Sequence, residues 1–297
     1  MNVVFQHTKS GQHIMLYKNW QHIVEIFSSK LILALVIVVP AFSSPSNAGG
    51  VRFEQSASNL PNSYKRLRKF EGIKAKRIHS FSIYGGECVT SAYGDGTGKG
   101  DCSYGSVRSM LRETKSDGRW VFPQPPEAWY GFDMLVPANF PTQGAQTKGS
   151  YIFTQWKGGV CPHASINHST RKGQGDIIYL RLQAPRDVAN HDCRDIARIP
   201  LMKMRDFKGQ WRNFQVYAKW SHKADGQIIV YIDGQQVGNY SGPTLNVPPN
   251  HPHKKAKMNH FDIGVYLCCT AGVKYIRPGT IYFANVNRAG SQKKLSK

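Results

Sequence analysis

The chain has 297 residues, with 39 Lys and Arg against 18 Asp and Glu, for a formal charge of +21. Such a field attracts polyanions and repels cations, which disfavours a cationic partner and keeps nucleic acid, acidic polysaccharide and anionic membrane in view. No Cys-x-x-Cys occurs and no pair of histidines has helical ligand spacing, so the ligand pattern of a structural zinc site is missing and no metal site is expected.

The first predicted element is a leader. Leu31 to Phe42 is a short apolar run, preceded by Lys30 and followed by Ser-Ser-Pro-Ser-Asn-Ala48. Cationic flank, apolar stretch and small-residue site follow the order of a signal peptide. The reading is a signal over 1–48, cleaved after Ala48, with Met1 or Met15 as the start. The run is shorter than the about 20 apolar residues a spanning helix needs. An uncleaved anchor over His22 to Phe42 would have to tolerate Glu25 and Lys30. The expected product is secreted or periplasmic, has no membrane contact after cleavage, and forms one domain over 49–297.

All six cysteines lie beyond residue 48. An even count in an exported chain predicts disulfides, with 15 possible pairings. Cys88 with Cys102 is favoured, because it would staple the glycine-rich loop between them. That loop, Tyr93 to Gly100, is no phosphate-binding motif, since Lys99 is followed by glycine. Helical periodicity is scarce. Asn59 to Phe70 and Arg194 to Arg205 are the two stretches that could hold short helices.

Strand signals fill the rest. They run at 128–136, 150–157, 176–184, 213–220, 227–237, 260–266 and 279–286. Asp233-Gly234 marks a hairpin turn. Many short strands between turn residues predict an all-β sandwich or barrel. At a period of two, Arg108, Met110 and Arg112 share one face, opposite Val107, Ser109 and Leu111. Tyr151, Phe153, Gln155 and Lys157 are expected on one side of their strand. Tyr179 and Arg181 oppose Ile178, Leu180 and Leu182. Tyr217 and Lys219 oppose Phe214, Val216 and Ala218. Asp262, Gly264 and Tyr266 oppose Phe261, Ile263 and Val265. These polar faces are poor in carboxylates and rich in Arg, Lys, Gln and Tyr. Such a lining suits an acidic sugar, because Tyr packs on rings, Gln bonds hydroxyls, and Arg and Lys pair the acid.

Those residues resemble a known group. Arg108-Ser-Met-Leu-Arg112 resembles the R-S-E-L-R strand of jelly-roll alginate lyases. Gln155-Trp-Lys157 resembles their Q-x-H, and Phe261-Asp-Ile-Gly-Val-Tyr266 their Y-F-K-A-G-V-Y. The run from about 105 to 288 is similar to the wider polysaccharide lyase group that includes glucuronan lyase and heparin lyase I. The resemblance implies a concanavalin-like β-jelly roll of two antiparallel sheets with a concave polar groove. It implies β-elimination on a uronic acid-containing polysaccharide by a monomer with no catalytic cofactor, although some relatives carry a structural calcium ion. By the same resemblance, Arg108 and Gln155 neutralise the uronate and Tyr266 acts as acid. Arg112, Lys157, Tyr179, Arg181, Tyr217 and Lys219 are expected to bind substrate.

Three positions depart from the pattern. Met110 replaces a glutamate, Asp262 a lysine, and Lys157 the Q-x-H histidine. Lys157 could act as base if burial and neighbouring cations lowered its pKa, or it could pair with the carboxylate. In that second case His163 or His168 supplies the imidazole, or Tyr266 does both jobs. A non-catalytic carbohydrate-binding jelly roll is the rival reading. Nucleic-acid recognition has charge in its favour, but no nucleic-acid module is present.

Overall fold

The computed structural model describes residues 51–55, 62–85, 87–88, 100–121, 123–141, 150–158, 161–169, 176–187, 192–246, 259–268 and 277–295. The expected signal at 1–48, most of the glycine-rich loop and Cys269 lie outside the described residues. Along the chain come β1 (Arg52–Gln55), β2 (Tyr64–Leu67), β3 (Ile78–Ile83), β4 (Val107–Thr114), β5 (Glu127–Leu135), β6 (Ser150–Lys157) and β7 (Pro162–Ser169). Then follow β8 (Ile177–Asp187), β9 (Asp192–Lys203), the single turn α1 (Met204–Phe207), β10 (Trp211–Lys219), β11 (Gln227–Ile232), β12 (Gln235–Ser241), β13 (His260–Cys268) and β14 (Gly279–Ala289).

These strands make two antiparallel sheets of seven. One runs β1-β4-β13-β6-β7-β8-β9 and the other β12-β11-β10-β5-β14-β3-β2. This is the two-sheet jelly roll expected from the sequence. The alternation explains it: Val107, Leu111, Phe261, Ile263, Val265, Leu180 and Leu182 of the first sheet meet Tyr130, Phe132, Phe214, Val216 and Phe283 of the second. Trp156 stacks on Phe261 at 5.4 Å between ring centroids, and Tyr130 meets Phe261 at 4.9 Å. Each side chain of this size gives about 1.5–3 kcal/mol on leaving water. Asp233 and Gly234 both take positive φ in the two-residue turn between β11 and β12, as that hairpin type requires.

The two stretches with helical leanings differ from expectation. The described part of 59–70 contains β2, and Arg194 to Lys203 is strand, with helix only from Met204. Both segments lie beside strands whose backbone groups need partners, and ladder pairing satisfies those groups along the whole segment. Local propensity cannot register that demand. The Cys88–Cys102 disulfide is present, and a second joins Cys161 to Cys193.

The period-two reading fails once. Tyr151 and Phe153 pack in the core rather than sharing a face with Gln155 and Lys157. The β6–β7 ladder shifts register between Ile152 and Thr154, and such a shift reverses the facing of everything beyond it.

Gly264 of β13 has φ of +140°. A Cβ there would lie 2.7 Å from Met110 Cα on β4. Only glycine permits this approach. Gly264→Ala is expected to cost about 1–3 kcal/mol through backbone strain, read as a lowered thermal midpoint. An unchanged midpoint would contradict the strained geometry.

Candidate active site

The central strands β4, β13 and β6 bring one polar row together on the face away from the core. Tyr266 lies directly across from Arg108, and Asp262 lies across from Arg112 on one side and Gln155 on the other. Lys157 lies across from His260. Alternation along three adjacent strands therefore assembles the cluster without any loop.

Arg108 is held from both sides. Its Nε and Nη2 donate to Asp101 Oδ2 and Oδ1, each at 2.6 Å. Its guanidinium sits 4.2 Å from the centroid of the Tyr266 ring. Asp101 starts the short turn Asp101–Tyr104, which the Cys88–Cys102 disulfide ties down. Burial raises the pKa of Tyr266, and the Arg108 charge only partly opposes that. Tyr266 therefore carries its proton at neutral pH and can give it away.

A second hub forms on Asp262, which is 2% exposed. Arg112 donates to its two oxygens from Nε at 3.0 Å and Nη2 at 3.3 Å, and Gln155 Nε2 donates to Oδ2 at 3.0 Å. His260 Nε2 stands 3.4 Å away. Burial alone would raise the Asp262 pKa, but the Arg112 guanidinium overrides it and holds the carboxyl well below the ordinary range. His260 is itself pushed down by burial, so at neutral pH it is uncharged and Arg112 is the standing partner.

Lys157 is different in kind. It has no ion pair with any described residue. Burial, then Arg108, then Arg112 lower its pKa to about 8, against the pull of Asp262 and Asp101. Arg108 acts on it more strongly than Arg112 does. Three cations, Arg108, Arg112 and Lys157, face two carboxylates, Asp101 and Asp262. The surplus charge sits on the one group that can lose its proton near neutrality.

The other expected residues are placed as follows. His168 turns to the core side, stacked by Tyr151 and 2.9 Å from Asp176. His163 bonds Asn246, which follows β12 of the other sheet, at 2.7 Å. Tyr179 and Arg181 stand on β8, two strands from β6, where Arg181 pairs with Asp195 at 2.7 Å. Tyr217 and Lys219 belong to the opposite sheet, bound to Glu127 and Asp225. The inner faces of both sheets form the core, so their polar faces point in opposite directions, and this pair is not brought to Arg108.

The sequence reading overlooked His260, which shares parity with Asp262 and Tyr266 and could have been found by it. It is 4% exposed. Its Nε2 is turned to Asp262, the neighbour it shares with Arg112 and Gln155. Also overlooked were Ser165 and Asn167 of β7. Both are fully buried, with Ser165 Oγ and both Asn167 amide atoms unpaired. Ser165 lies directly across from Gln155 on the neighbouring strand. Among the described residues no cluster of three His, Cys, Asp or Glu is placed to hold a metal ion.

Among solved structures, an endo-β-1,4-glucuronan lyase from the fungus Trichoderma reesei superposes with a TM-score of 0.50 at 13% identity, over 84% of this chain and 94% of that one. An alginate lyase from Pseudomonas aeruginosa gives 0.45 at 15% identity, over 78% and 87%. No curated protein sequence matches significantly. The polysaccharide lyase family model matches residues 61–287, which takes in both sheets from β2 to the body of β14 and every residue of the polar row. The chain belongs to the polysaccharide lyase family.

Proposed function

We propose that this lyase cleaves a uronic acid-containing polysaccharide by β-elimination, with Lys157 as base and Tyr266 as acid. The observation that carries the reading is an amine lowered to about 8 by burial and by Arg108, on the same polar row as a tyrosine kept protonated against Arg108. The uronate C5 proton is weakly acidic, so positive charge and hydrogen-bond donors must stabilise the enolate-like charge that builds on the carboxylate. Arg108 and the Gln155 amide supply them. The Lys157 amine takes the C5 proton. The electrons of that bond form the C4–C5 double bond, the C4–O4 bond breaks, and O4 takes the Tyr266 phenolic proton. Proton return from Lys157 to Tyr266 through solvent resets the site.

A basic protein with two disulfides among its described residues fits an oxidising compartment and a polyanionic substrate. We therefore place it outside the cytoplasm.

The test is incubation of the purified protein with alginate, polyglucuronate and heparin, following absorbance of the conjugated, unsaturated product. One polyuronate is expected to give signal that grows with enzyme and time. Silence on all three polymers from about pH 5 to 10, a span covering His to Lys titration, would refute the elimination reading.

A further inference from the structure

We infer that Trp120 is the platform of a distal subsite that holds a second uronate unit of the same polymer, away from the bond being cleaved. This rests on the elimination reading. The chain turns back on itself after β4. Lys115 N–H donates to Arg119 O at 2.7 Å, Gly118 N–H donates to Lys115 O at 3.1 Å, and Trp120 bridges to Thr114. The turn delivers Trp120 over Arg112, whose guanidinium is 4.3 Å from the indole centroid.

A single exposed apolar side chain is ordinary on a protein surface. Three features set Trp120 apart. It is 42% exposed although Arg112 sits over its ring and the His260 ring lies 6.3 Å away between centroids, so much of the indole meets solvent. Its support is fixed, because Arg112 is itself bound to buried Asp262. It also lines a recess of about 410 Å³ together with Lys115, Gly118 and Arg119, within the usual size of small-ligand sites. A sugar ring lays its C–H face on an indole, and its carboxylate then meets Lys115 or Arg119. Among the described residues Arg119 pairs with Asp117, and both are exposed, so this pairing yields readily to a new anion.

Arg112 lies four residues from Arg108 along β4, about 13 Å. That is farther than one sugar ring spans, so the platform and the cleavage centre hold different units of one chain. The row from Tyr266 through Gln155 and Asp262 to Arg112, with Met110 and Gly264 between its two ends, links them along one face. That continuity, with the charge, selects an acidic polysaccharide over a nucleobase, which could also stack on an indole.

The test compares native protein, Trp120→Ala and Trp120→Phe with fluorescently tagged hexamers of glucuronate, mannuronate and guluronate, their trimers, and a tagged oligo-dT. Anisotropy gives affinity, and polymer assays give KM and kcat. Trp120→Ala is expected to weaken the preferred hexamer about tenfold, to affect the trimer less, and to lower kcat/KM on polymer through KM. Trp120→Phe is expected to recover most of the affinity. Equal hexamer affinity in native and Ala forms, a fall in kcat with affinity unmoved, or a loss confined to oligo-dT would each overturn the subsite. So would a native protein that binds none of the hexamers. If native protein turns over no polyuronate but Trp120→Ala still loses hexamer affinity, the subsite stands and the elimination reading falls.

Discussion

Lys157→Arg is expected to lower turnover on the preferred polyuronate about 10²–10⁴-fold, the usual worth of a positioned acid or base. The substitution keeps a cation and a long stem but removes the ability to lose a proton below about pH 12. Polymer affinity should hold. In the native enzyme, kcat/KM should rise with pH through about 8, because only the neutral amine accepts the C5 proton. In the complex the uronate carboxylate stabilises the ammonium, so the rising limb of kcat should lie at higher pH than that of kcat/KM. The variant should lose the limb altogether. Tyr266→Phe should also lose turnover while retaining affinity, since the ring over Arg108 remains and only the proton is gone. The opposite sign would be decisive. If activity falls as pH rises through about 8 and arginine substitutes well, Lys157 is a carboxylate partner and the base lies elsewhere.

Asp262→Asn is expected to cost about 3–5 kcal/mol of stability, since it strips a largely buried guanidinium of its charge partner. Arg112 is 14% exposed at the side chain and lies against the Trp120 ring, so water replaces the carboxylate only in part. Urea unfolding at pH 7 would show it as a lower midpoint with an unchanged slope. The pH dependence follows from the depressed carboxyl. A carboxyl with a folded pKa below its unfolded value of about 3.9 gives its full stabilisation above that value and loses it as pH falls below it. The native protein should therefore weaken below about pH 4, and Asp262→Asn should lack that part of the acid loss. Equal midpoints at pH 7 would show that Arg112 finds solvent or another anion without cost.

Much of this was readable before any coordinates. Alternation placed Arg108 and Arg112 on one face of β4, and Asp262 and Tyr266 on one face of β13, and the structure has them so. The Asp233-Gly234 turn and the Cys88–Cys102 bridge were equally legible, because two-residue turns and short loops are local. The misplaced faces in β6 show the limit. One register shift near Phe153 turned Tyr151 and Phe153 into the core, and nothing in 150–157 announces it.

The sequence by itself determined the class of fold, the polar strand faces and the family, since these depend on period, turn chemistry and motif order. Tertiary structure decided which polar faces meet. Tyr217 and Lys219 read like Tyr266 and Lys157 along their strands, yet they sit on the other sheet, because pairing between distant segments is invisible to a period of two. It also decided the charge state of the site. Lys157 looked like a lost histidine in the sequence. Only burial among Arg108 and Arg112, brought in from a strand some 45 residues away, lowers its pKa to about 8, since desolvation and through-space charge act on distance in space and not along the chain.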